Sequence, residues 1–331
     1  MQSLHPSISL IVVIITMSVL NTGFGQSPKI KQYRTTIYQA EMNVAEGDWT
    51  KAINLYKQAF AVNKDAFAKD LYNASITATL EGNIDSAKAW FTKLVEREVT
   101  KERLKQHLFY KKHLSSSVLK IMIADAEAKR QYPNPELIQK IDSFFARDQY
   151  LRRNGSISEI QAQDERSGAF MDSIILHHGY PKDSEIGVDR ADNFYIMHLH
   201  ADFNPKRANF LKREVIAGNM QAFDYMGIYG RWNYTQLNTR LQTGDTTMTP
   251  MGFFQAKYFG LKNYSKDKLI LHNGKKRHVF KGSPNFRPDQ IPVFDKRRSE
   301  IGFKSCADHD KWLNSPYVKK YGFLDTLGYY H

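Results

Sequence analysis

Two stretches of the chain repeat one another at a spacing of 35 residues, and this repeat restricts the possible folds more than any other feature. In each unit a Gly turn separates two helical stretches, and an Ala and then an aromatic residue follow the Gly. The Ala and the ring are four residues apart and share one helical face, where the small residue permits a close helix crossing and the ring fills the space between units. The matched positions are Gly47 with Gly82, Ala52 with Ala87, Tyr56 with Phe91 and Ala59 with Leu94. The chain is therefore expected to begin with an array of helical hairpins.

This order of Gly, Ala and aromatic residues resembles the tetratricopeptide repeat over residues 31–99. The chain departs from that family at the end of each unit, where Lys64 and Val99 stand at positions often occupied by Pro. Two units are fewer than the three that a stable stack usually needs, so residues 102–129 are expected to supply a third, degenerate unit. The resemblance implies a groove that holds a peptide or a partner helix. An unrelated array of helical hairpins, or a purely structural spacer, is the alternative.

The first 25 residues differ from the rest because they contain no Lys, Arg, Asp or Glu. Ile8 to Leu20 is an apolar-rich run of 13 residues, shorter than the roughly 20 that span a bilayer. Small residues follow it and allow cleavage after Gly25, which is the layout of a secretory signal peptide. We expect an exported protein, periplasmic or on the cell surface, with no transmembrane segment after cleavage. An uncleaved N-terminal anchor is the alternative, because no Lys or Arg precedes the apolar run.

Almost all of the net charge of +13 comes from the C-terminal part of the chain. Residues 203–331 contain 22 Lys and Arg against 10 Asp and Glu, a difference of +12. Such a local excess predicts an anionic partner, and interleaved aromatic rings add stacking. In an exported chain we expect an envelope polymer or a lipid head group rather than nucleic acid; a solvated basic face over an aromatic core is the alternative. The candidate binding residues are Lys275, Lys276, Arg277, Lys296, Arg297 and Arg298.

A second set of motifs occupies the middle of the chain. In chain order it consists of Asp148-Gln149 with Arg152, then Asp164, Gly179-Tyr180-Pro181, Gly187 and His200-Ala201-Asp202. Together these resemble an uncharacterised bacterial domain family marked by D-Q-x-x-R, G-W-P and Q-H-A-D, over residues 148–224. Tyr180 stands for the usual Trp and Leu199 for the usual Gln. No activity is established for that family, so the resemblance leaves the chemistry open.

The spacing H-x-H-x-D at His198, His200 and Asp202 occurs at hydrolase metal sites. On a strand all three side chains would point to one side, whereas on a helix only His198 and Asp202 share a face. Apolar residues at helical spacing favour the helix, so no metal site is predicted here. A His held by a carboxylate suits acid–base chemistry, and a buried polar network that fixes helix packing is the alternative. The candidate catalytic residues are His200, Asp202 and Asp164, with Asp148 and Arg152 as binding residues.

No other catalytic signature is present, and no cofactor is expected. The chain lacks G-x-S-x-G, H-E-x-x-H and a phosphate-binding Gly loop. Cys306 is its single cysteine, so no disulfide forms within the chain.

These features predict a mainly α-helical chain: tetratricopeptide-type hairpins, then an α-helical domain, then an irregular α+β region that is basic and aromatic. The expected function is that of an exported binding or scaffold protein that holds a partner protein through its repeats. An envelope hydrolase with a His/Asp site is the alternative. The predicted divisions are a signal peptide (1–25), the repeats (27–100), a helical connector or third repeat (101–147), a helical domain (148–240) and the basic aromatic region (241–331).

Overall fold

The computed structural model describes residues 27–202, 204–229, 268–272, 275–279 and 291–324. The signal peptide expected at residues 1–25 lies outside these residues, as does most of the basic, aromatic region between 241 and 290. Within the described residues, helices dominate, as the composition and periodicity predict. None of the helices in this part of the chain is both long and apolar enough to cross a membrane.

Two helical hairpins open the described chain: α1 (Pro28–Glu46) with α2 (Trp49–Val62), and α3 (Ala68–Glu81) with α4 (Ile84–Glu96). Each hairpin turns at a glycine with positive φ, +82° at Gly47 and +81° at Gly82, where a residue with a Cβ is strained. The side chains of Asp48 and Asn83 then cap the second helices, each accepting a hydrogen bond from a backbone N–H three residues on. Local sequence signals therefore explain both turns.

The small and aromatic positions of the 35-residue repeat lie in the core, as the sequence predicts. Ala52 and Ala87 are completely buried, and so are the rings of Tyr56 and Phe91. Because protein interiors are close-packed, a larger residue at Ala52 would displace α2 from its neighbours. The helical period therefore identified the packed face of each hairpin correctly.

The stretch expected as a third helical unit forms three short helices, α5 (Lys101–Gln106), α6 (Leu108–His113) and α7 (Ser116–Lys129). The helix α5 ends and α6 begins on either side of His107, which is completely buried. Its Nδ1 accepts a hydrogen bond from the backbone N–H of Phe109, and its Nε2 donates to the carbonyl of Tyr72 at 3.1 Å. Burial lowers the pKa of His107 to about 4, so the ring is neutral and acts as a cap.

A second hydrophobic core lies among six further helices: α8 (Pro135–Asn154), α9 (Ile157–His178), α10 (Asp183–Ile186), α11 (Val188–His200), α12 (Pro205–Ala217) and α13 (222–229). Ile138 and Ile141 of α8 belong to this core. The second unit therefore begins before residue 148, within the stretch expected to be a connector. Since α11 is a helix up to His200, the H-x-H-x-D residues do not converge as they would on a strand.

Asp183 joins the hairpins to the second core. Its carboxylate accepts a hydrogen bond at 2.7 Å from the backbone N–H of Ala68, the first residue of α3, and forms an ion pair with Arg97. The residue before α3 is Phe67, whose side chain cannot cap. A carboxylate at a helix N-terminus is favourable, so a residue distant in the chain supplies the missing cap.

The described C-terminal residues form one hairpin and three helices: β1 (Lys268–His272), β2 (Lys275–Val279), α14 (Ile291–Glu300), α15 (Cys306–Asn314) and α16 (Pro316–Tyr321). The strands are antiparallel, with Lys268 opposite Val279. This hairpin is the only β structure of the described residues, so the expected α+β character is not supported. Nor do these helices stand apart, since Ile301 lies in the second core and Trp312 in the first.

Two glycine variants test how α16 packs against the first hairpin. A Cβ added at Gly47 would lie 2.8 Å from the Tyr317 ring of α16, whereas a Cβ at Gly82 would meet nothing within 4 Å. Both positions have the same positive φ, so Gly82→Ala is expected to cost about 1–2 kcal/mol of unfolding free energy from backbone strain alone. Gly47→Ala is expected to cost roughly 1–3 kcal/mol more because the ring must move. Urea unfolding of both variants measures the difference; equal losses would show that Tyr317 does not pack there.

Candidate functional site

Four of the predicted site residues meet at one end of the second core, and we call them the polar cluster: Asp148, Arg152, Asp164 and His200. Asp148 and Arg152 lie one turn apart on α8, Asp164 lies on α9, and His200 is the last residue of α11. Both α9 and α11 pack against α8, which brings the three helices together. The motif residues that are scattered in the sequence are therefore neighbours in space.

Arg152 is at the centre of the polar cluster. Its Nη2 lies 3.1 Å from Oδ1 of Asp148 and forms a short ion pair with the carboxylate of Asp164. The side chain of Asp148 is almost fully buried, at 1% exposure, while that of Arg152 keeps 28%. The cluster therefore has a buried anion beneath a guanidinium that reaches the surface.

Nδ1 of His200 lies between two groups that favour opposite positions of the ring proton. Its Nδ1 lies 3.0 Å from Oδ2 of Asp148 and 2.8 Å from Nε of Arg152. The Nε–H of Arg152 donates to Nδ1 when the ring proton is on Nε2. With the ring proton on Nδ1, His200 would instead donate to Asp148, and the Arg152 Nε–H would be left with Oδ1 of Asp148 at 3.2 Å. Nε2 of His200 makes no hydrogen bond to any described residue.

The two carboxylates differ in their electrostatics. Burial alone would raise the pKa of Asp148, but the hydrogen bond from His200 and the charge of Arg152 outweigh it and hold that pKa below its usual value. Burial raises the pKa of Asp164 to about 6, although Arg152 opposes the shift. A pair of acids whose environments separate their pKa values can divide into an ionised and a protonated member.

Asp202, which the sequence predicts here, forms no hydrogen bond or ion pair with the polar cluster, but it is close enough for its charge to raise the pKa of Asp164. Its side chain is exposed beyond the end of α11, and its carbonyl accepts a hydrogen bond from Arg207. His198 is fully buried against Tyr180 and Phe194, and its ring makes no hydrogen bond with the described residues. The part of the chain that the structure describes contains no group of three His, Cys, Asp or Glu placed to hold a metal ion.

The six basic candidates fall into two sets. Lys275, Lys276 and Arg277 lie on β2, and Lys296 is exposed on α14. The side chain of Arg297, also on α14, lies outside the described residues. The prediction for Arg298 is corrected: it is buried, it donates to the carbonyls of Lys304 and Ser305, and its guanidinium lies on the ring of Phe303. A guanidinium used in this way is not available to an external anion.

Sequence reasoning missed a second site, the face formed by α1, by Trp49 at the start of α2 and by α3, which we call the α1–α3 face. The C-terminal residues 304–324 cover it. Asn73 on α3 binds the backbone of Leu324 twice: Nδ2 donates to the carbonyl at 2.7 Å, and Oδ1 accepts from the N–H at 2.9 Å. Asn73 is completely buried. The sequence shows only polar residues such as Asn73 among the apolar residues of this helix, and the structure shows that several of them are buried and therefore need hydrogen-bond partners.

A buried set of charges holds α1, α3 and residue 304 together. Lys69 lies 2.6 Å from Glu41 and 2.7 Å from Asp70, and Lys304 lies 2.9 Å from Glu41. Burial by itself lowers the pKa of the Lys69 ammonium, but the two carboxylates outweigh it and raise that pKa, so the group stays charged. The C-terminal residues are therefore bound to α1 by a desolvated ion pair.

Aromatic rings complete the cover of the α1–α3 face. Trp49, which begins α2, stacks on Phe323 and meets the rings of Tyr317 and Tyr321 edge-on, all with centroids 5.4–6.1 Å apart. Such ring pairs contribute beyond the area that they bury.

A separate cavity of about 510 Å³ lies between α4 and α7. Val95, Val118 and Met122 contribute apolar walls, and Arg97 and Glu98 lie at its border. Val118 is 41% exposed, so this cavity is open to solvent. It is a second surface that a partner can reach.

A family model for a domain of unknown function, DUF6340, matches residues 38–116. The match therefore extends from within α1 to the start of α7 and covers both hairpins, so it lies over the α1–α3 face and not over the polar cluster. It confirms an uncharacterised domain in the chain, but in a different segment from the motifs at 148–224. No curated protein matches the chain, and no solved structure matches it.

The polar cluster makes folding stability depend on pH. Because the pKa of Asp148 is lower in the folded chain than its ordinary value near 4, the carboxylate stabilises the fold above about pH 4, and this contribution is lost as the pH falls through the folded-state pKa. Asp148→Asn is therefore expected to lower the unfolding free energy at pH 7 by about 1–3 kcal/mol. The difference from the native chain should shrink below pH 4.

The matched control is Asp125→Asn, which breaks an exposed pair with Lys129 on α7. Its effect should stay within about 0.5 kcal/mol. Urea unfolding between pH 3 and pH 8 measures both variants. An Asp148→Asn loss that is the same at every pH would show that the ionised carboxylate is not what stabilises the cluster.

Proposed function

We propose that this chain is an exported binding protein whose tetratricopeptide-like hairpins hold a segment of a partner protein on the α1–α3 face. The 35-residue period and the buried Ala and aromatic positions support the repeat assignment. The apolar N-terminal stretch with a cleavage site after Gly25 supports export.

One observation carries the proposal: the α1–α3 face already binds a stretch of polypeptide. Asn73 recognises both backbone groups of Leu324, at 2.7 Å and 2.9 Å. Backbone groups are common to every peptide, so this contact is independent of the side chain that a partner presents there. Affinity from main-chain bonds combined with side-chain contacts is a general mode of peptide recognition.

The basic C-terminal region supports an additional contact with an anionic envelope polymer or lipid head group. Its charge difference is +12, and Lys275, Lys276 and Arg277 follow one another on β2. Salt screens contacts of this kind between exposed charges.

The function is tested by capture from an envelope extract with three variants of the mature chain. Asn73→Ala should lose the bound partner, because the backbone of the partner loses both hydrogen bonds. Asn54→Ala, which removes an exposed amide from α2, is the matched control and should retain the partner. Val118→Glu places a charge in the α4–α7 cavity and should retain it too. Mass spectrometry of the eluates identifies and quantifies the partner.

Two outcomes would contradict the proposal. Equal recovery by the native chain and Asn73→Ala would exclude the α1–α3 face. Loss with Val118→Glu but not with Asn73→Ala would move the partner to the α4–α7 cavity.

A second candidate function is that of an envelope hydrolase that uses the polar cluster. The observation that favours it is the 3.0 Å contact between Asp148 and His200 Nδ1: with the ring proton on Nδ1, His200 Nε2 can accept a proton. Asp164, with a pKa of about 6, supplies an acid in the same cluster. A base and an acid held in this way suit water activation and protonation of a leaving group.

The variant His200→Ala tests whether the chain is a hydrolase of this kind. Hydrolysis of 4-nitrophenyl esters should fall by about 10²–10⁴-fold in the variant, since general acid–base catalysis contributes that much. The rate of the native chain should also fall as the pH rises through about 6, where Asp164 loses its proton. His177→Ala, which changes an exposed residue of α9, is the control. Hydrolysis at the same rate in the His200→Ala variant, with a lower melting temperature, would assign His200 to helix packing.

A further inference from the structure

The chain carries its own occupant on the α1–α3 face, and this occupant shows which chemistry the face accepts. Two carboxylates of α1 each hold a lysine of the C-terminal segment: Glu41 holds Lys304 at 2.9 Å, and Glu46 holds Lys311 at 2.5 Å. The first pair is buried and the second is about half exposed. These two lysines of the segment therefore each meet a carboxylate of α1.

Beyond the lysines, the segment places three aromatic rings around one side chain. Tyr317, Tyr321 and Phe323 all lie against Trp49, and Asn73 then holds the backbone of Leu324. Tyr317 is 38% exposed, so the outer ring of this set is accessible from solvent. Along the segment the contacts thus occur in one order. The lysines pair with carboxylates of α1, the rings then pack on Trp49, and Asn73 finally binds the backbone of Leu324.

We infer that the α1–α3 face selects partner segments that carry lysines followed by aromatic residues, and that residues 304–324 occupy the face until such a segment displaces them. This inference rests on the proposed function, because it names the ligand class and the regulation of that same face. The intramolecular segment acts as a competitor at very high effective concentration. A free peptide therefore binds with an apparent affinity reduced by the fraction of molecules in which the face is open.

The test measures binding of a fluorescein-labelled synthetic peptide with the sequence of residues 304–324 to the full mature chain. Tyr317→Ala weakens the internal segment but leaves the peptide unchanged, so it should raise the apparent affinity about tenfold over the native chain. Adding Asn73→Ala should abolish that gain in affinity, because the face loses the side chain that hydrogen-bonds to the peptide backbone. Tyr150→Ala removes an exposed ring from α8 and should bind as the native chain does.

A second peptide tests the charge requirement. With Lys304→Glu and Lys311→Glu, the peptide should bind the Tyr317→Ala chain at least tenfold more weakly, because Glu41 and Glu46 then face like charges. Equal binding of the two peptides, or no gain in Tyr317→Ala, would overturn the inference. Dimers of Tyr317→Ala that grow with concentration and vanish on adding Asn73→Ala would assign the face to a second copy and overturn it too.

Failure here is distinct from failure of the proposed function. The function fails when Asn73→Ala leaves capture from the envelope extract unchanged. Capture that depends on Asn73, without binding of the basic aromatic peptide, would retain the function and reject this ligand class.

Discussion

The pairing of buried charges where α1, α3 and the C-terminal segment meet is the constraint on which the rest of the fold depends. Lys69 lies between Glu41 and Asp70, and Lys304 reaches Glu41 from the far end of the chain. Removing one partner of such a set typically costs about 3–5 kcal/mol, because the other charge stays buried without compensation. Any segment that covers this face must therefore bring a cation to the position of Lys304, whether the segment is the chain's own or a partner's.

The parts of the fold that sequence reasoning predicted are those encoded over a few residues. The buried faces of α2 and α4 follow from positions such as Ala52 and Tyr56, which repeat at helical spacing. The polar cluster was predicted in part because Asp148 and Arg152 are one turn apart and His200 ends a helix. Asp202 lies just beyond the end of α11 with an exposed side chain, and it acts on Asp164 through its charge rather than through a hydrogen bond.

The contacts that sequence reasoning missed join residues with no local relation. Asp183 caps α3, where Phe67 lacks a capping side chain, and Asn73 binds the backbone of Leu324. In each case one partner is an unsatisfied group of a local motif, and the other is decided only by the packing of distant helices. An uncapped helix start or a buried Asn predicts that a partner exists, but not which residue it is.

The same packing changes what the charge asymmetry of the chain means. Part of the basic excess after residue 203 is used inside the molecule: Lys304 and Lys311 pair with α1, and Arg298 donates to backbone carbonyls. Counting charges along the chain treats these groups as available to an outside anion, although two of them are buried. The net charge of a segment therefore gives the number of anionic groups needed to neutralise it. Some of these anionic groups come from other parts of the same folded chain. Here Glu41 and Glu46 of α1 supply two of them, which is why a segment that carries lysines packs against this helix.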